Sequence, residues 1–143
     1  MSLIERLQDY CLTPAMSGFE DEMVKKLSRD LKDFVDELRV DILGNVIATV
    51  RGSNPKAPAL MVFAHTDSLG MIVKKIEENG YLRIERVGGV PERILAASNV
   101  LLQAKGGKNV EGVIGFVSHH LTPPDEKYKV KPISECYVDI GAT

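Results

Sequence analysis

Leu3, Ile4, Leu7, Tyr10 and Cys11 fall on one face of a 3.6-residue period and Pro14 ends the pattern, so the chain opens with a short helix. Ser17-Gly18-Phe19-Glu20 reads as a capping box, in which a hydroxyl and a carboxylate each satisfy a free backbone N–H, and a second helix is predicted to start there. That helix carries Phe19, Met23, Val24, Leu27, Leu31, Phe34 and Val35 mainly at three- and four-residue steps, with charged residues opposite, and packs one side on a core. The period then shortens to two. Leu38, Val40 and Ile42 alternate with charged neighbours, Gly44-Asn45 turns the chain, and Val46 to Val50 return as the second arm of a β-hairpin. After a loop over 52–58, Ala59-Leu60-Met61-Val62-Phe63-Ala64 is apolar on both faces, the mark of a buried central strand, and it ends in His65.

Beyond Gly70 the pattern becomes one of short alternating segments. Strands are predicted over Met71 to Ile76, Tyr81 to Val87, Val100 to Ala104, Val113 to Val117 and Tyr137 to Ile140, with turns at Asn79-Gly80, Gly88-Gly89 and Gly106-Gly107. A boundary near Gly70 therefore divides an α/β segment from a β-barrel or sandwich-like one.

Composition narrows the function classes. With 44% hydrophobic and 27% charged residues, the chain can bury a core and is too balanced for a disordered tail. A formal net charge of -2 gives no overall field to hold nucleic acid or an anionic membrane, so neither is an expected partner. The longest apolar run falls far short of the ~20 residues a membrane span needs, and the amphipathic start is unlike a signal peptide, so a cytoplasmic protein is expected. Cys11 and Cys136 lie outside any CxxC or Cys/His cluster, which fits a reducing compartment, and both are expected to be buried and inert.

Candidate chemistry concentrates at His65-Thr66-Asp67-Ser68, directly after the apolar run. Residues two apart in extended chain point to one side, so His65 and Asp67 can face a common site. An imidazole can ligate a divalent metal through one nitrogen while a carboxylate orients it through the other. The same spacing fits a strand-end histidine beside a turn-capping aspartate, and the pattern alone leaves both readings open. His119-His120 are expected to be structural or exposed, because adjacent side chains in extended chain diverge. The glycine pairs match no phosphate-binding loop, and Ser98, Ser118 and Ser134 lack the context of an activated nucleophile. With 3 histidines in the whole chain, a histidine-rich metal cage cannot be assembled from one copy.

The order of motifs is more specific than any one of them. Ser17-Gly18-Phe19-Glu20, Asp41-Ile42-Leu43-Gly44-Asn45-Val46-Ile47, His65-Thr66-Asp67-Ser68-Leu69-Gly70-Met71, Asn79-Gly80-Tyr81-Leu82, Gly88-Gly89, Gly112-Val113-Ile114-Gly115 and Val138-Asp139-Ile140-Gly141-Ala142 follow one another. The series resembles the N-terminal part of the tetrahedral dinuclear-metal aminopeptidases, the deblocking and glutamyl aminopeptidase family, some members of which carry an endoglucanase label. The resemblance implies an α/β fold in which residues 1–68 open a phosphorylase/hydrolase-like catalytic sheet and residues 69–143 begin a β-rich, barrel-like dimerisation insert, both incomplete. It implies a metalloprotease acting on peptide substrates with two divalent ions per complete subunit, zinc or cobalt, and a homo-oligomer of dimers assembling to a dodecamer. Carried over residue by residue, His65 is a metal ligand and Asp67 the catalytic aspartate that orients the site. The other acidic ligands, the general-base glutamate and the last histidine are expected beyond Thr143, so the chain alone is expected to be inactive. Many members have glutamate after the HxD aspartate where this chain has Ser68, which leaves substrate preference open. Asp139 is expected to belong to the insert and not to the metal centre. Two alternatives stand beside this reading: an assembly module without catalysis, and a related carboxypeptidase or deacylase, disfavoured because the insert begins directly after the HxD strand.

Overall fold

In the computed structural model, which describes residues 2–142, the first apolar stripe folds as helix α1 (Leu3–Cys11). Its start is a true capping box: the Ser2 hydroxyl accepts the Glu5 N–H at 3.3 Å, and the Glu5 carboxylate accepts the Ser2 N–H at 2.7 Å. Helix α2 (Asp21–Leu31) runs on through a 3₁₀ turn over Lys32–Phe34. The capping box predicted at Ser17-Glu20 does not form. Glu20 is the N-cap without a side-chain cap bond, its carboxylate accepts the Gly18 N–H at 2.8 Å, and the Ser17 hydroxyl is engaged elsewhere.

The contacts between α1 and α2 are largely polar. Lys26 Nζ donates to Asp9 Oδ1 at 2.7 Å and to Thr13 Oγ1 at 2.6 Å, and the Tyr10 hydroxyl donates to Asp30 Oδ2 at 3.0 Å. Of the α2 stripe only Met23 is buried, while Phe19 and Phe34 are exposed. Strands β1 (Glu37–Val40) and β2 (Val46–Thr49) pair antiparallel as the predicted hairpin, with Leu38 opposite Ala48. Asp41 holds the turn: Oδ1 accepts the Leu43 and Asn45 N–H groups at 2.9 and 3.0 Å, and Oδ2 accepts the Asn45 side-chain amide at 2.8 Å. Gly44, at φ +86°, supplies the left-handed residue this turn needs.

The predicted central strand is the main departure. Ala59–Ala64 pairs with no strand among the described residues, and Leu60, Met61, Val62 and Phe63 are 81 to 89% exposed. Apolar residues on both faces create a demand for cover, but a strand exists only beside a hydrogen-bonding neighbour, and none of the described strands lies there.

The chain divides into two compact units, Met1–Ser68 and Leu69–Thr143. The second contains β3 (Gly70–Ile76), β4 (Leu82–Val87), β5 (Asn99–Gln103), β6 (Asn109–Gly115) and β7 (Tyr137–Asp139) in one antiparallel sheet of order β3-β4-β7-β6-β5. Two hairpins form its flanks and the last strand joins them, with Val138 opposite both Leu82 and Ile114. Strand β6 begins four residues before its predicted start at Val113, because the Gly106-Gly107 turn, at φ +84° and +77°, folds the chain back at once. The Ala104 N–H then meets the Lys108 carbonyl at 2.7 Å. A bulge between Val73 and Lys75 breaks the β3–β4 register.

Leu82, Ile84, Leu95, Ile114, Ile133 and Val138 form the centre of a core within this unit. Strands β6 and β7 lie side by side, and a Cβ on Gly112 would lie 2.7 Å from Val138 Cγ1. Cys136 is buried in the same core, and burial pushes its thiol pKa up. Cys11 is exposed on α1, against the expectation that both cysteines are buried: α2 reaches this end of α1 through polar contacts to Asp9, Tyr10 and Thr13, and no residue of α1 is buried. No helix among the described residues is long and apolar enough to cross a membrane.

Candidate functional site

His65 follows the exposed apolar segment and is itself exposed, its side chain at 85%. Its Nδ1 lies 3.0 Å from the Asp67 carbonyl oxygen and 3.1 Å from Asp67 Oδ1. Both partners are acceptors when the carboxyl is ionised. Nδ1 therefore carries the hydrogen, and in the neutral ring the lone pair is on Nε2, on the exposed side. The two-residue spacing works here through a local loop in which one residue offers the ring both its carbonyl and its carboxylate.

Asp67 has a second partner that sequence reasoning missed. The Ser17 hydroxyl donates to Asp67 Oδ2 at 2.5 Å, across 50 residues of sequence. That hydrogen bond is the largest influence holding the Asp67 carboxyl below the usual carboxylate range; partial burial opposes it and the His65 contact adds to it. The signal was present in Ser17-Gly18-Phe19-Glu20, but a serine three residues before a glutamate reads locally as a helix cap. Ser68 fastens the two segments together: its N–H donates to the Ala15 carbonyl at 2.7 Å, and Met16 and Ser68 form a parallel bridge.

The donor set decides what this site can hold. One exposed imidazole, with its tautomer set by a carboxylate, fits a single ligand of a divalent metal. A closed site needs three or four ligands, and no group of three or more His, Cys, Asp or Glu side chains is gathered for one among the described residues. The remaining histidines are in the other unit, where the His119 and His120 rings stand edge-on with centroids 6.0 Å apart and His119 lies 6.4 Å from the Tyr128 ring. Asp139 accepts the Gly141 N–H at 2.8 Å, a turn-holding role. A groove along β5, β6 and β7 is lined by Val100, Gly112, Val113 and Ile140, with the Glu111 and Asp139 carboxylates and no histidine.

Comparison with known proteins bears on these features together. The chain is 40% identical over 135 residues to the lysyl aminopeptidase of Pyrococcus furiosus, an alignment that takes in 92% of this chain and 37% of that protein. A TET aminopeptidase structure from a marine-sediment archaeon of the Thaumarchaeota superposes on 98% of the chain with a TM-score of 0.90 and 31% identity, using 38% of its own length. The TET1 peptidase of Pyrococcus horikoshii, whose structure is described as assembling into a tetrahedron or a large octahedral shell, superposes on 99% of the chain at TM-score 0.83 and 32% identity, using 41% of its length. The chain thus spans little more than a third of the relatives it matches. A model of the M42 glutamyl aminopeptidases accounts for residues 44–143, from the hairpin turn through His65 and Asp67 to the end of the β-rich unit. On that match, which takes in well over half of its residues, the chain belongs to the M42 glutamyl aminopeptidase family.

Proposed function

We propose that the chain is the N-terminal portion of a metal-dependent aminopeptidase, in which His65 contributes one metal ligand and Asp67 orients it. The observation that carries this reading is the Asp67-held ring of His65, with Nε2 free. When bound, a pair of divalent ions such as zinc or cobalt supplies polarisation of the substrate carbonyl and a water acidic enough to serve as nucleophile near neutral pH. What this chain does toward that chemistry is hold. Asp67 keeps the hydrogen on Nδ1, so that Nε2 is a lone-pair donor, and it limits rotation of a ring that would otherwise turn freely in solvent. His65 is one ligand of a set that needs more, so the chain alone binds metal weakly and does not turn over peptides. The complete protein acts on peptides with a free amino terminus, works in the cytoplasm, where Cys11 and Cys136 stay unpaired, and assembles from dimers into a closed homo-oligomer.

The test is hydrolysis of aminoacyl-p-nitroanilides by the protein as its gene encodes it, with added cobalt or zinc. His65→Ala is expected to lower the rate by more than roughly 100-fold, and Asp67→Asn by roughly 10–100-fold, the usual cost of losing a ligand's orienting carboxylate. Full activity in His65→Ala, or after chelation, overturns the reading. An inactive protein that still oligomerises supports the assembly-module alternative.

A further inference from the structure

We propose that Ser17 is a positioning residue for the metal ligand, acting through Asp67 to fix the tautomer and orientation of His65; this rests on the reading of His65 given above. The two oxygens of the Asp67 carboxylate have separate tasks. Oδ1 faces His65 Nδ1 at 3.1 Å, and Oδ2 accepts the Ser17 hydroxyl at 2.5 Å. The terminal torsion of an aspartate is broad, so one contact leaves the carboxylate plane free to rock, whereas a second contact on the other oxygen fixes it.

Ser17 is itself held from several directions. Ala15 is buried, and its carbonyl takes the Ser68 N–H at 2.7 Å. The Phe19 N–H closes on the Met16 carbonyl at 2.7 Å around Gly18, whose φ of +85° suits the third position of a type II turn. The turn and the His65–Asp67 arm are joined by the Met16–Ser68 bridge, immediately beside both members of the contact. Ser17 stands three residues before the Glu20 N-cap of α2, so its hydroxyl has no capping task and is free for a tertiary partner. That hydroxyl is directed at Asp67. A hydroxyl with no capping role that closes a contact 50 residues away marks a position whose role is tertiary.

The experiment compares Ser17→Ala and Ser17→Thr in the protein as its gene encodes it, with two readouts that need no turnover. The first is the His65 tautomer in the metal-free protein, from long-range proton–nitrogen NMR at a pH where the ring is neutral. The parent and Ser17→Thr are expected to show the hydrogen on Nδ1, and Ser17→Ala a mixture with the Nε2–H form. The second is affinity for Co2+ alone, followed by its absorption spectrum: Ser17→Ala is expected to bind about 10-fold more weakly, the low end for loss of an outer-sphere partner, and Ser17→Thr to recover it. Should Ser17→Ala lose its fold by circular dichroism, the isosteric pair Ser17→Thr and Ser17→Val makes the same hydroxyl comparison. An unchanged tautomer and affinity in a folded Ser17→Ala or Ser17→Val variant overturns the proposal. His65→Ala separates the two readings. If it leaves Co2+ binding intact, the ligand assignment fails, while a tautomer change in Ser17→Ala still reports whether Ser17 positions the ring.

Discussion

In the unit Leu69–Thr143, Ile114 and Val138 are 1% exposed within a sheet whose strands satisfy one another, whereas in Met1–Ser68 the comparably apolar Leu60, Met61, Val62 and Phe63 stand in solvent. The first unit holds its helices through Lys26–Asp9 and Tyr10–Asp30, and Ala15 and Met23 are its only buried apolar side chains among the described residues. Charged and hydroxyl contacts at a part-exposed surface contribute little each, while an enclosed apolar side chain contributes about 1.5–3 kcal/mol. The difference teaches that hydrophobicity in the sequence is a demand for cover and not a measure of stability. The stretch that most resembles a core strand contributes least here, and the modest alternating segments of the β-rich unit contribute most.

The sharpest way to break this comparison is a pair of truncations. Ile114→Ala is expected to lower unfolding stability by about 2–5 kcal/mol through lost burial and a residual cavity. Phe63→Ala removes a larger apolar side chain and is expected to change it by less than about 0.5 kcal/mol, because no packed neighbours are lost. Urea denaturation measures both, and equal losses would show that 59–64 is packed. Next in size is Gly112→Ala, which puts a methyl group against Val138 and the Asp139 carbonyl and is expected to cost about 1–3 kcal/mol by overpacking where β6 meets β7. A neutral result there would mean that the two strands sit further apart than described.

The smallest effect concerns charge. Lys75, and after it Arg83, hold the Glu77 carboxyl below its ordinary range. A depressed folded-state pKa contributes stability that is present above the ordinary carboxylate range and is lost as pH falls through the lowered value. Melting temperatures taken from neutral to acid pH are therefore expected to fall less steeply in Glu77→Gln than in the parent. Parallel curves would show that this part-exposed trio adds nothing, as is common for surface pairs.

Much of the β-rich unit was legible because its signals are local. Alternation at 71–76 and 82–87, and glycines at Gly80 and Gly106-Gly107 that only turns require, place strands whatever lies around them. The candidate site was legible only in part. His65 and Asp67 lie two residues apart, within reach of any local reading, and their contact is formed. Ser17 was visible as a residue and misread in role, since a capping serine and a carboxylate-bracing serine look alike until a distant carboxylate arrives. The α2 stripe and the 59–64 run were misjudged for a related reason: period and composition show which face seeks cover, and they are silent on what supplies it.

By itself, then, the sequence determined the local geometry of this protein: helix α1 with its apolar stripe, the Asp41-held hairpin, the glycine turns, and the HxD arrangement that can set an imidazole tautomer. These follow from torsional preference, hydrophobic period and hydrogen bonds that span a few residues. Tertiary structure alone decided that β7 closes the sheet between β4 and β6, that Ala59–Ala64 lacks a strand beside it among the described residues, and that Ser17 braces Asp67. Each of those depends on segments far apart in the chain meeting in space, where packing and a partner's free oxygen outweigh the preferences of any single stretch.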